Sequence, residues 1–392
     1  MKGMAQGSHK NLVILGSTGS VGTQALDVVR RMPDAFRVVA LSGHSRWDVL
    51  ARQVEEFRPE AAAVSDEEGA DRLAKALDGR GVTLLRGTEG LCRLASWDGA
   101  DVVLSAISGA AGLRPAVAAL ESGKTLALAN KEAVVMCGPR LVRLAAETGA
   151  VILPVDSEHS AIFQLLRMLD RRQVQRVTLT ASGGPFYGMS AEELGRVTPA
   201  EALRHPTWRM GRKITVDSAT LMNKALEIVE ARWLFGLAPE QIGVLIHPQS
   251  VIHCLVELVD GSVFAHMGAP DMRLPIQYAL SYPERLPAAA VRLDLARMSK
   301  LELCEPDCQA FPALSLGYRV ATAGGTSGAV LSAANEEAVR AFLDGRIRFT
   351  DIARLVEMVL DRHKLEAEPT FEAAMAADLW AREEANECLA LL

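Results

Sequence analysis

The sequence predicts an α/β fold in three parts: a doubly wound parallel sheet, a central α+β segment and a C-terminal helical bundle. Three observations predict it. Short apolar runs alternate with helix-period segments as far as about residue 150. Motifs dense in Gly, Pro, His and Ser then continue to about residue 287. An Ala- and Leu-rich helical texture fills residues 311–392.

Each element has its own signal. Residues 11–15 (NLVIL) form a short apolar run, which predicts a buried strand. The turn Gly16 to Gly22 leads into a helix through Ala25, Leu26, Val29 and Met32, and Pro33 ends it. FRVVALSG, finishing at Gly43, predicts a second strand. Residues 54–64 carry helix and then strand signals. DVVLSAISG (101–109), KTLALAN (124–130) and AVILPVD (150–156) predict further strands. Strands separated by helices imply right-handed crossovers and a mostly parallel sheet, so residues 1–150 are expected to form one domain. In the 151–287 segment, RVTLT, VLIHP, CLVELV and SVFAHM predict strands, and Asp260-Gly261 predicts a hairpin between the last two. Residues 288–310 contain Pro306 and little periodicity, and are expected to be a linker. Residues 311–392 predict three or four packed helices.

Bulk properties narrow the class. The chain has 392 residues, 49% hydrophobic and 23% charged, enough for a large core and two or three domains. A net charge of −6 argues against nucleic-acid binding, which needs a basic stripe. No apolar run reaches the roughly 18–20 residues that span a bilayer. The opening MKGMAQGSHK lacks the apolar core of a signal peptide and predicts a frayed leader, so the cytoplasm is expected. Six scattered cysteines predict free thiols, and the Cys304/Cys308 pair lacks the second pair a structural zinc needs.

Gly16-Ser-Thr-Gly19-Ser-Val-Gly22 stands directly after a predicted strand and before a predicted helix. Small residues there let the backbone approach a pyrophosphate, and the helix N-terminus supplies N–H groups and positive partial charge. The N-terminal domain is therefore expected to be Rossmann-like and to bind a dinucleotide; a purely structural turn is the alternative. NAD sites usually place a carboxylate at the end of the second strand. Here stand Gly43, His44, Ser45 and Arg46, which suit a 2′-phosphate and point to NADP, unless Arg46 is only a surface charge.

Asp156 and Glu158 end a strand-like run, where an extended backbone aims both to one side. Paired carboxylates suit a hard divalent ion, or they are simply solvated acids. Further on, Asn223, Lys224 and Glu227 share a helix face, with Asp217 or Ser218 as the expected N-cap. That face suits phosphate on one side and metal on the other, or is an ordinary Lys–Glu pair; Glu230 is an equal candidate for Glu227. Asn130, Lys131 and Glu132 follow a strand at the ligand edge of an open sheet, or merely start a helix. Ser182-Gly183-Gly184 fits an anion nest or a turn. His205, Trp208, Met210 and Gly211 lie in a loop that suits a lid, or a structural loop with a half-buried Trp. At least one of His247 and His253 is expected in the core.

GSTGSVG, LANKE, PVDSEH, TASGGPF, HPTWRMG, KITVDSATLMNKALE and HPQSVIH occur in this order. Together they resemble the 1-deoxy-D-xylulose 5-phosphate reductoisomerase family from about Asn11 to the C-terminal helices. The resemblance implies a homodimer of three-part subunits: an NADPH domain, a catalytic domain and a helical bundle. It implies that Thr18, Gly19, Ser20, Val21, Gly43, His44, Ser45, Asn130, Glu132 and Gly211 contact the cofactor. It implies that Asp156, Glu158 and Glu227 hold Mg²⁺, Mn²⁺ or Co²⁺, which favours Glu227 over Glu230. Ser182, Ser218, Asn223 and Lys224 correspond to the phosphate site, Lys131, Ser157 and His205 to other substrate contacts, and Trp208 and Met210 to the flap. Lys131, Glu158 and His205 are the implied catalytic residues. The family often has Lys-Asn after the glycine where this chain has His44-Ser45. The implied reaction converts 1-deoxy-D-xylulose 5-phosphate to 2-C-methyl-D-erythritol 4-phosphate by skeletal rearrangement and hydride transfer. Two alternatives compete: a plain NADP-dependent aldehyde dehydrogenase or reductase of homoserine-dehydrogenase type, which needs no metal, and a non-catalytic NADPH-binding sensor.

Overall fold

The computed structural model describes residues 9–298 and 300–392, so most of the expected leader lies outside the described residues. In chain order the first elements are β1 (Lys10–Leu15), α1 (Ser20–Arg31), β2 (Phe36–Gly43), α2 (Trp47–Phe57), β3 (Ala61–Val64), α3 (Glu67–Ala76) and β4 (Thr83–Arg86). Then come α4 (Gly87–Ala95), β5 (Val102–Ser105), α5 (Leu113–Glu121), β6 (Thr125–Leu128), α6 (Lys131–Thr148), β7 (Val151–Pro154) and α7 (Ser157–Leu166). The middle of the chain carries β8 (Val174–Ala181), α8 (Ala191–Leu194), α9 (Pro199–Ala202), α10 (Arg212–Ala219) and α11 (Met222–Phe235). It continues with β9 (Ile242–Ile246), β10 (Ile252–Leu258), β11 (Val263–Met267) and α12 (Arg273–Ser281). The last helices are α13 (Ala313–Ala323), α14 (Ser327–Leu343), α15 (Asp351–Arg362) and α16 (Phe371–Leu389).

The chain divides into two compact units. The first comprises residues up to Asn130, Leu141–Ser160 and Asp271–Val291. Its seven strands are parallel, in the order β4-β3-β2-β1-β5-β6-β7. The winding reverses beside β1, which pairs with β2 on one side and β5 on the other, and such a switch point is where open sheets bind ligands. Leu12, Val13, Ile14 and Leu15 have no solvent exposure, because helices cover both faces of the central strand. α12 enters this unit from far along the chain, packs against α1 and is fastened at both ends. Arg273 reaches Asp27 at 2.9 Å and Asp271 at 2.6 Å, while the Lys10 ammonium donates to the carbonyl of Ser281 at 2.9 Å. That cation sits where the carbonyls at a helix C-terminus lack partners.

The second unit comprises Lys131–Arg140, Ala161–Pro270 and Arg292–Leu392. Its mixed sheet has the order β11-β10-β8-β9. The expected hairpin joins β10 to β11: Gly261 adopts φ +84°, and the Asp260 carboxylate accepts the Ser262 N–H at 2.9 Å. Within the expected linker, Cys304 forms an antiparallel bridge to Ile246. α14 is the buried centre of the helical part, contacting α15 and α16. No described helix is long and apolar enough to cross a membrane.

Candidate active site

The first unit carries the glycine turn from which the sequence leads one to expect a dinucleotide site. Gly16 turns with φ +79°, and a Cβ there would stand 2.5 Å from the carbonyl oxygen of Ala106. A Cβ on Gly22 would stand 2.3 Å from the Gly16 carbonyl oxygen, so the turn closes only with glycine at both places. Gly19 caps α1 without a side-chain bond, and the first turn carries no acid, so Ser20 and Val21 open a helix N-terminus suited to an anion. Thr18 is buried beside Gly43, the last residue of β2. His44 Nδ1 lies 2.8 Å from Ser65 Oγ, and Ser45 is exposed. Asn130 is buried, and its Nδ2 donates to the Gly109 carbonyl at 3.1 Å.

Asp156 and Glu158 also belong to this unit, but not on an extended strand as the sequence suggests. β7 ends at Pro154, and Glu158 stands in the first turn of α7. The Asp156 carbonyl accepts the Ser160 N–H at 2.8 Å, and its Oδ1 accepts the Ser157 N–H at 3.0 Å. Ser157 Oγ donates to Glu158 Oε2. A helix start, with its positive partial charge, holds these carboxylates in place of strand alternation.

In the second unit, one cluster forms around Glu227, which has no solvent exposure. Lys131 Nζ lies 3.2 Å from Glu227 Oε1 and donates to Asn223 Oδ1 at 2.7 Å. Lys224 Nζ and Asn223 Nδ2 also donate to the Glu227 carboxylate. Asn223, Lys224 and Glu227 thus share a face of α11 as expected, but neither Asp217 nor Ser218 caps it. Both lie within α10, and Leu221, at φ +60°, starts α11. Glu230, on the same helix, is buried.

A second cluster joins Ser182, His205 and Ser218. His205 Nδ1 accepts the backbone N–H of Thr207 at 3.1 Å and of Trp208 at 2.9 Å, so the ring proton of the neutral imidazole resides on Nε2. Nε2 lies 3.0 Å from Ser182 Oγ and 3.1 Å from Ser218 Oγ. Burial pushes the imidazole down to about 4, which keeps it neutral near pH 7. A neutral N–H donor between two hydroxyls suits the oxygens of a phosphate. Trp208 and Met210 are half-buried in the loop between α9 and α10, and Gly211 precedes α10.

Sequence reasoning missed Lys213. Its ammonium lies 2.8 Å from Asp217 and 3.1 Å from Glu132, while Asn335 donates to Asp217 at 2.8 Å. Burial pushes the Glu132 carboxyl up, but Lys213 leads the groups that bring it below the usual range. The i,i+4 spacing of Lys213 and Asp217 was a usable signal; the partnership with Glu132 had none. His247 and His253 are both buried, with His247 Nδ1 2.7 Å from the Glu302 carbonyl oxygen. The cysteines are free thiols; Cys304 Sγ meets the Tyr187 hydroxyl and Cys308 is exposed.

Comparison with known proteins places the chain in one family over nearly its whole length. Residues 12–138 match the profile of 1-deoxy-D-xylulose 5-phosphate reductoisomerase, and residues 152–235 and 267–384 match two profiles of its C-terminal domains. The 1-deoxy-D-xylulose 5-phosphate reductoisomerase of Chlorobium chlorochromatii is 52% identical, covering 96% of this chain and 99% of its own. That of Thermodesulfovibrio yellowstonii is 48% identical over the same shares. The Zymomonas mobilis enzyme, solved with NADPH, superposes with a TM-score of 0.91 at 41% identity, covering 98% of this chain and 100% of that one. A reductoisomerase solved with NADPH, fosmidomycin and magnesium gives 0.93 at 40% identity, with 97% and 98% covered. The chain therefore belongs to the 1-deoxy-D-xylulose 5-phosphate reductoisomerase family.

Proposed function

We propose specific roles for the residues above in the family's reaction. The enzyme converts 1-deoxy-D-xylulose 5-phosphate to 2-C-methyl-D-erythritol 4-phosphate with NADPH and a divalent metal, a step in non-mevalonate isoprenoid precursor biosynthesis. The observation that most supports our residue roles is Glu227, a carboxylate without solvent exposure held between the ammonium groups of Lys131 and Lys224. A carboxylate removed from water is costly unless cations pair it, and a divalent ion is a further cation that such a group can take.

Asp156, Glu158 and Glu227 hold the divalent ion, since carboxylate oxygens suit a hard cation such as Mg²⁺, Mn²⁺ or Co²⁺. When bound, the ion polarises the substrate oxygens and NADPH supplies the hydride. Ser182, Ser218, Asn223 and Lys224 bind the phosphate, and His205 adds its Nε2–H. Lys131 and Ser157 orient the reacting end, and the Lys131 ammonium stabilises negative charge developing on a substrate oxygen. The loop with Trp208 and Met210 closes over the substrate and excludes water. Thr18, Gly19, Ser20 and Val21 receive the pyrophosphate, His44 and Ser45 the 2′-phosphate end, and Gly43, Asn130, Glu132 and Gly211 complete the cofactor contacts.

The same proposal assigns residues 1–150 to cofactor binding, 151–287 to catalysis, 288–310 to a linker and 311–392 to a helical bundle. It includes a cytoplasmic location and a homodimer. Edge strand β11 supports the dimer: it leaves Val263 58% and Phe264 44% exposed, a liability that a second copy would cover. Light scattering should give twice the chain mass, and a monomer at micromolar concentration rejects the dimer.

The deciding experiment follows NADPH oxidation with 1-deoxy-D-xylulose 5-phosphate, with and without chelator. We expect turnover to stop with chelator and return with added Mg²⁺. Full turnover in chelator would favour the metal-free dehydrogenase, and cofactor binding without turnover would favour the sensor.

A further inference from the structure

Gln53 lies on α2, is 5% exposed, and takes no part in the roles proposed above. Its side chain makes a two-bond ring with one residue of the glycine loop. Ser17 Oγ donates to Gln53 Oε1 at 2.6 Å, and Gln53 Nε2 donates to the Ser17 carbonyl at 3.0 Å. Ser17 Oγ also lies 3.0 Å from the Ser42 carbonyl oxygen, but a hydroxyl has one proton, and the shorter contact to Gln53 takes it. The Ser42 carbonyl is served by the Ser17 N–H at 2.7 Å, and Ser42 Oγ accepts the Gly16 N–H at 3.0 Å. Residues 16 and 17 are thus pinned from behind by β2 and α2.

The consequence lies in the next peptide. The bond between Ser17 and Thr18 is trans, so the Ser17 carbonyl and the Thr18 N–H point in opposite directions. With the carbonyl tied to Gln53, the Thr18 N–H faces away from α2. Among the described residues, no protein acceptor meets that N–H. A donor fixed in direction and left for a ligand is what an anion cradle requires.

We propose that Gln53 is a positioning residue for the dinucleotide: it ties back the Ser17 carbonyl and so aims the Thr18 N–H at the cofactor pyrophosphate. The proposal rests on the reading that the Gly16–Gly22 loop receives NADPH. Gln53 touches no cofactor atom; it acts through the peptide it holds.

The test uses Q53M, which keeps the length of the side chain and removes both bonds, together with S17A, which removes one. Calorimetric titration of the full-length protein with NADPH should give a dissociation constant raised at least about fivefold in each, the scale of a lost buried hydrogen bond. The double variant should lose little more than either alone, because the two groups form one ring. In Q53M, the KM for NADPH should rise in parallel, while kcat at saturating NADPH and the KM for the sugar phosphate stay within about twofold. A general packing defect would move both KM values together and overturn the proposal. Unchanged affinity in S17A, or additive losses, would overturn it as well, even where Q53M folds poorly. Hydrogen exchange on the wild type separates the two readings. NADPH should protect the amides of residues 16–22; no protection there would sink the loop assignment itself, whereas protection with unaltered affinity in the variants sinks only the role of Gln53.

Discussion

The Lys131 ammonium stands 3.2 Å from Glu227 Oε1, joining the first residue of α6 to the middle of α11. Asn223 and Lys224 complete the polar surroundings of the same carboxylate from its own helix. A negative charge removed from water in this way is held by Lys131, Lys224 and Asn223, the first two cationic. Removing it disturbs both the balance of charge and any cation the site coordinates.

Replacing Glu227 by Gln should therefore stop catalysis while the cofactor still binds. On the proposed ligand role, the substitution removes several kcal/mol of transition-state stabilisation, which lowers turnover by about a hundredfold or more. NADPH oxidation with substrate measures the loss, and calorimetric titration shows NADPH affinity unchanged within about twofold. Full activity in E227Q rejects Glu227 as a ligand.

His205 predicts a pH effect on stability. Burial lowers its folded pKa to about 4, below the ordinary value near 6.5 of an unfolded chain. The unfolded state then binds more protons below pH 6.5, so stability present above that pH is lost as pH falls towards 4. With a discount for partial exposure, the loss at pH 5 is about 1 kcal/mol. Urea unfolding at pH 7 and pH 5 should show a smaller drop for H205N than for the wild type; equal drops exclude this histidine as a source.

Lys213 holds two carboxylates that have little access to water, Glu132 and Asp217. In K213M they lose their shared cation, and unfolding free energy at pH 7 should fall by about 3 kcal/mol. The pH response should change as well. In the wild type, the lowered Glu132 carboxyl contributes stability above its unfolded pKa, and this is lost on acidification through the lowered value. Without Lys213, burial dominates and mild acid should stabilise the variant. Denaturant curves from pH 4 to pH 8 measure both effects; parallel curves for the two proteins refute the assignment.

Arg273 anchors the returning helix α12 through Asp27 and Asp271. Because these groups are partly solvated, R273M should cost only about 1–2 kcal/mol. Unfolding midpoints measure that loss, and amide exchange in α12 should quicken more than in β8 or α14 of the other unit. Uniform acceleration throughout the chain contradicts a local anchor.

Much of the architecture was legible because it follows from local periodicity. NLVIL, FRVVALSG and the hairpin glycine at 261 gave strands and a turn at their observed places. β4 was not legible: TLLR is a short, partly exposed edge with neither a buried run nor clean alternation. The predicted strands ending at 109, 130 and 156 stop earlier, at Ser105, Leu128 and Pro154, where the backbone leaves the sheet for loops and helix starts. A one-sequence pattern cannot distinguish a strand's last residues from the apolar loop that follows it.

The chemistry divides in the same way. Sequence alone determined the glycine turn before α1 and the shared helix face of Asn223, Lys224 and Glu227, since both depend on spacings of a few residues. Only the tertiary structure decided that Lys131 meets Glu227, that Lys213 spans Glu132 and Asp217, and that Gln53 grips Ser17. Those partners lie 36 to 96 positions apart except for the helical pair Lys213 and Asp217. Non-local pairings are set by how elements pack, and burial then fixes which charges must meet.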